Sequence, residues 1–117
     1  MNTPSKLKYL DLTGCETNKG ILSLCTCLQK LSLRHLSLNN KMIRKISVQN
    51  GRTLQTLDLF RCAGLTLESI QTIIGNCCEL KEINLCDTYL AQDSVNFLVN
   101  NVTDKVTIIT RFSHGLV

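Results

Sequence analysis

One motif recurs along this 117-residue chain at a near-constant step, and that recurrence limits the fold more than any single residue does. The stretch LKYLDLTGC, Leu7 to Cys15, returns as LQKLSLRHL from Leu28, as LQTLDLFRC from Leu54 and as LKEINLCDT from Leu80. A degraded copy, VTIITRFSH, starts at Val106, so successive starts are 21, 26, 26 and 26 residues apart. A unit this short cannot bury its own apolar face. Units must stack so that each covers the next, which makes a quasi-linear array.

Within each unit the L-x-x-L-x-L-x-x-C pattern encodes a short strand, with the second and third leucines inward and the residues between them outward. Leu57 and Leu59 are thus expected in the core, with Thr56, Asp58 and Phe60 on the opposite face. The return segment after Cys62 carries Leu67, Ile70, Ile73, Ile74 and Cys77 at helical spacing, with Thr66 as N-cap and Glu68 in the first turn. The unit before it has a weaker helix signal, Met42, Ile43 and Ile46 behind Asn39–Asn40. The unit after it has Val95, Leu98, Val99 and Val102, and the first, shorter unit leaves room for one helical turn. Strand, loop and helix in repetition predict one α/β domain over 1–117. It is expected to be a leucine-rich-repeat solenoid: a right-handed horseshoe segment with a parallel concave sheet and convex helices. Its units start near 7, 28, 54 and 80, with a partial one at 106.

The outward positions fall into columns that define the candidate binding face. The first is Tyr9, Lys30, Thr56, Glu82 and Ile108; the central one is Asp11, Ser32, Asp58, Asn84 and Thr110. The third is Thr13, Arg34, Phe60, Cys86 and Phe112, and an edge position supplies Gly14, His35, Arg61 and Asp87. Small polar residues in the central column suit strand stacking. Phe60, flanked by Arg34 and Arg61, suggests a contact site, because aromatic and arginine side chains dominate interface energies.

Several function classes find no footing. A net charge of +4 spread over scattered basic residues forms no nucleic-acid patch. No signal peptide core or bilayer-length apolar run is visible. The seven cysteines then read as free thiols of a reducing compartment. Cys15 and Cys62 close the strand motif and Cys25 and Cys77 share a slot before the next strand, all expected as small buried residues. Cys25 with Cys27, and Cys77 with Cys78, lack zinc-ligand spacing, and His35 and His114 have no catalytic signature around them. The glycines sit at turns and helix ends and form no phosphate loop. Neither enzyme activity nor a cofactor or metal is expected.

The 26-residue step, the Cys closing the strand motif and the second Cys before the next strand resemble the cysteine-containing repeats of F-box/leucine-rich-repeat proteins. GRTLQTLDLFRCAGLT from Gly51, NCCELKEINL from Asn76 and VNNVTDKVTIITRF near the end look like units of that family. The resemblance implies a protein-binding module that holds substrates for a Skp/cullin ubiquitin ligase, in the cytoplasm or nucleus, with no membrane or nucleic-acid partner. The chain departs from the family in two ways: no F-box-like LP-x-E segment precedes the repeats, and Arg111 stands where a buried Leu belongs. It therefore reads as a fragment, and ligase docking would need an F-box elsewhere in a parent protein. An adaptor or scaffold unrelated to ubiquitin is the alternative.

Overall fold

A computed structural model describes residues 7–15, 26–90, 94–97 and 105–110. Five strands, β1 (Tyr9–Asp11), β2 (Lys30–Ser32), β3 (Thr56–Asp58), β4 (Glu82–Asn84) and β5 (Thr107–Ile109), form one all-parallel sheet in chain order. Two helices, α1 (Asn40–Gln49) and α2 (Leu67–Asn76), connect β2 to β3 and β3 to β4 and pack against each other. Residues 94–97 are also helical, with Val95 buried. The fold is α/β.

The sheet register follows the sequence repeat. Tyr9, Lys30, Thr56 and Glu82 lie side by side, as do Leu10, Leu31, Leu57 and Ile83, and then Asp11, Ser32, Asp58 and Asn84. Leu31, Leu57 and Ile83 enter the core, joined by Leu33, Leu59 and Leu85 beyond the strand ends and by Ile43, Ile46, Ile70 and Ile73 from the helices. This ladder of aliphatic residues between sheet and helices supplies most of the burial that offsets chain ordering.

The last strand departs from the predicted alignment by one residue. Glu82, Ile83 and Asn84 pair with Thr107, Ile108 and Ile109, so Ile108 packs against the core and is no member of the outward column. The segment V-T-I-I offers two adjacent aliphatic residues, and the backbone ladder, not hydrophobicity, chooses between them. Phe112, Arg111, His114, Cys25 and the return segments over 16–25 and 98–102 lie outside the described residues.

Both helices start where their caps place them. The Asn39 side-chain oxygen accepts from the Met42 N–H at 2.8 Å. Thr66 and Ser69 form a reciprocal capping box. Asn40, in the first turn of α1, then bonds to Ser69, to the Thr66 hydroxyl at 3.4 Å and to Glu68 at 3.3 Å, tying the two helix starts together. The helix read as weaker from its sequence is as long as its neighbour, ten residues each, because packing and caps outweigh its polar composition.

A fully buried Asn50 completes the stacking. Its side-chain oxygen accepts from the Leu28 N–H at 2.9 Å, and its amide donates to the Ile46 carbonyl at 2.9 Å. The Thr53 hydroxyl donates to the Leu28 carbonyl at 2.8 Å, so one turn pairs both backbone groups of the residue that opens the preceding unit's strand motif. Two glycines allow close backbone approach nearby. A Cβ on Gly51 would stand 2.5 Å from the Asn76 carbonyl oxygen, and one on Gly64, held at φ +86°, would collide with the Leu38 carbonyl.

The cysteine slots divide. Cys62 is buried and its thiol donates to the Leu33 carbonyl at 2.7 Å, and Cys77 is buried beside the Ser47 carbonyl. Cys15, expected inside, is exposed. The slot takes its cover from the preceding unit, as Cys62 does from Leu33, and among the described residues nothing precedes the Cys15 unit.

Candidate functional site

The sheet face turned away from the helices carries the candidate residues, and two backbone devices fix its exit rim. The first is a side-chain bond from the central column to the amide two residues on. Asp11 accepts from the Thr13 N–H at 2.9 Å, Asp58 from the Phe60 N–H at 3.0 Å and Asn84 from the Cys86 N–H at 2.9 Å. Asp and Asn suit this place because their short side chains mimic a backbone turn. The Thr13 hydroxyl also donates to Asp11, and this bond is the main reason that the Asp11 carboxyl titrates below the ordinary range.

The second device is a left-handed residue at the same place in each of four units: Gly14 at φ 71°, His35 at 64°, Arg61 at 57° and Asp87 at 57°. Only the first is glycine. Three side chains are thus held in a backbone region that costs them roughly 1–3 kcal/mol each, and they persist because their neighbours over-determine the turn.

At this rim the structure gathers an arginine–aromatic cluster around Phe60. The Arg34 guanidinium carbon lies 4.5 Å from the ring centre and that of Arg61 lies 5.7 Å away. The His35 ring meets Phe60 edge-on, at 5.4 Å between centres and 79° between planes. Each guanidinium also faces an acid one unit further on, Arg34 Nε to Asp58 at 3.5 Å and Arg61 Nε to Asp87 at 3.7 Å. Half-exposed pairs of this kind contribute about 0–1 kcal/mol. Their consequence is orientation: each holds a planar cation over an aromatic face. Phe60 is therefore half-buried by its neighbours, and not the lone exposed ring that the alternation suggests.

Beside the cluster, an open groove of about 580 Å³ runs over β1, β2 and β3. Lys8, Tyr9, Asp11, Gln29, Lys30, Leu31, Ser32, Arg34, Thr56 and Asp58 line it. Five residues singled out from sequence, Tyr9, Asp11, Lys30, Arg34 and Asp58, come together here, and Phe60 and Arg61 adjoin through Arg34. Glu82 and Asn84 lie half-buried on β4, outside the groove wall. Lys8 and Gln29 escaped the sequence reading because they precede the strands, at positions that simple alternation assigns to neither face. His35 and Asp87 stood in the edge column, and the tolerance of His and Asp for the left-handed region was the signal that could have marked their turns.

Burial pushes the Cys62 thiol up to about 11, and burial does the same to Cys77, also to about 11. Both are protonated and poorly nucleophilic near neutrality. Among the described residues no cluster of three or more His, Cys, Asp or Glu is placed to hold a metal ion, and no helix is long and apolar enough to cross a membrane.

No family model matches the chain. The DNA repair protein rhp7 of Schizosaccharomyces pombe is 37% identical over 79 residues, an alignment that covers 60% of this chain. The chain spans only 14% of that relative's length, so the likeness is to one stretch of a much larger protein.

Proposed function

We propose that this chain is a stretch of leucine-rich-repeat solenoid whose sheet face binds a protein partner. The reading continues as a substrate-holding region of the kind found in F-box ubiquitin-ligase receptors, working in the cytoplasm or nucleus. The observation that carries it is the in-register sheet itself. Equivalent residues of successive units stand side by side, which turns a sequence repeat into a continuous display of Tyr9, Lys30, Arg34, Phe60 and Arg61. Coupling to a Skp/cullin ligase would require an F-box elsewhere in the same polypeptide.

A second reading, a scaffold unrelated to ubiquitin, draws support from the likeness to rhp7, a protein named for DNA repair. The two share the binding face and differ in what the partner is for. The test is affinity capture from cell extract with wild type, Phe60→Ala, Arg34→Ala and Glu82→Ala, each checked by circular dichroism, with the exposed helix residue Lys41→Ala as control. The face reading expects one or more partners to be lost from the sheet variants and kept by Lys41→Ala. Identical capture by all variants would overturn it, and the presence of ligase subunits or of repair proteins among the captured set separates the two readings.

A further inference from the structure

The groove over β1–β3 holds two kinds of charge, and only one is already spoken for. Asp58 faces Arg34 at 3.5 Å, and Asp11 accepts the amide and hydroxyl of Thr13. Lys8 and Lys30 have no ion pair or side-chain hydrogen bond among the described residues. They share the entry end of the groove with Tyr9, which is 55% exposed and directly beside Lys30 in the register. The wall therefore presents an aromatic ring and two free cations at one end, with acids tied into internal bonds at the other.

Resting on the protein-binding reading above, we propose that this groove takes an extended acidic peptide segment of the partner, with its carboxylates at Lys8 and Lys30 and an apolar side chain against Tyr9. Charge complementarity sets the class. Two lysines match one or two carboxylates, whereas a nucleic acid would also bring phosphates against Asp11 and Asp58, which line the same groove and would repel a uniform polyanion. The groove is open along three strands, as suits an extended backbone better than a compact small molecule.

The experiment uses the full chain and three fluorescent probes: an octapeptide with two glutamates at alternate positions near one end and neutral residues elsewhere, the same peptide with glutamine in their place, and a short DNA duplex, each followed by anisotropy. The glutamate peptide should bind at least about fivefold tighter than the glutamine peptide, as two exposed ion pairs would give. The double variant Lys8→Glu/Lys30→Glu should erase that difference, the control Lys41→Glu on α1 should preserve it, and both should keep the wild-type circular dichroism spectrum. Equal binding of both peptides, absence of saturable binding by either, or tighter binding of the duplex than of the glutamate peptide would each overturn the proposal. The charge-reversal variant is also run in the extract capture. Should Phe60→Ala lose a partner that Lys8→Glu/Lys30→Glu retains, the acidic-segment proposal fails while the binding face stands; should neither lose anything, both fail.

Discussion

At the scale of single residues, chemistry here is set by which groups the stacking buries. Cys62 and Cys77 are sealed and Cys15, Cys27 and Cys78 exposed, so iodoacetamide at neutral pH should label the second set and spare the first. Mass spectrometry of peptides from native protein checks this, and rapid labelling of Cys62 would contradict its buried slot. The same burial gives a pH dependence. The folded thiols titrate near 11, above their ordinary 9.0, so the folded state holds its protons longer than the unfolded chain does. Their contribution is complete below about pH 9 and is lost as pH rises towards 11. Chemical denaturation across pH 8–11 should show stability falling in that window, and the fall should shrink in Cys62→Ala. Asn50→Ala should cost about 1–3 kcal/mol, because it strands the buried Leu28 N–H, whereas an exposed polar substitution costs a few tenths. Phe60→Ala should lose about 0.5–2 kcal/mol through its two guanidinium contacts, more than a solvent-facing residue would.

At the scale of elements, helix starts and turn glycines carry specific weights. Thr66→Ala removes one half of a capping box and should cost roughly 1 kcal/mol by urea titration, with Asn39→Ala similar at the start of α1. Gly64→Ala should cost more than either, since a methyl there meets a neighbouring carbonyl and the left-handed backbone disfavours it besides. A neutral Gly64→Ala would mean that the loop after β3 sits further from Leu38 than described. Both helices and strands β1 to β4 were legible in the sequence, because 3.6-residue and two-residue periodicities and cap residues are local signals. The alignment of β5 was not, because Ile108 and Ile109 satisfy a hydrophobic template equally well and only the ladder to β4 decides between them. The buried Asn50 and the left-handed exits were also hidden. The first is a polar residue in a stretch that reads as a loop, and the second depends on φ angles that Arg61 does not advertise and that His35 and Asp87 signal only weakly.

At the scale of the whole molecule, stability passes from unit to unit. Leu57 fills a central rung between Leu31 and Ile83, so Leu57→Ala should cost about 2–5 kcal/mol and loosen the units on either side. Hydrogen exchange should show the loss spreading from β3 to β2 and β4, while a change on the outward sheet face such as Glu82→Ala leaves exchange at its native level. The columns of the candidate face were readable as columns, since register follows the repeat. Their chemistry was only half readable: the central acids proved to be turn-formers as well as charges, and Phe60 proved to be clamped.

The left-handed exits set backbone ease against side-chain contacts. Glycine is the relaxed occupant of those turns, and the first unit has it at Gly14, while the next three hold His35, Arg61 and Asp87 there at a strain. Replacing Arg61 by glycine would ease the backbone and delete a guanidinium from the rim in one stroke. The strained turns instead supply the groups that clamp one ring: the His35 ring and the Arg61 guanidinium meet Phe60, and Asp87 steadies Arg61.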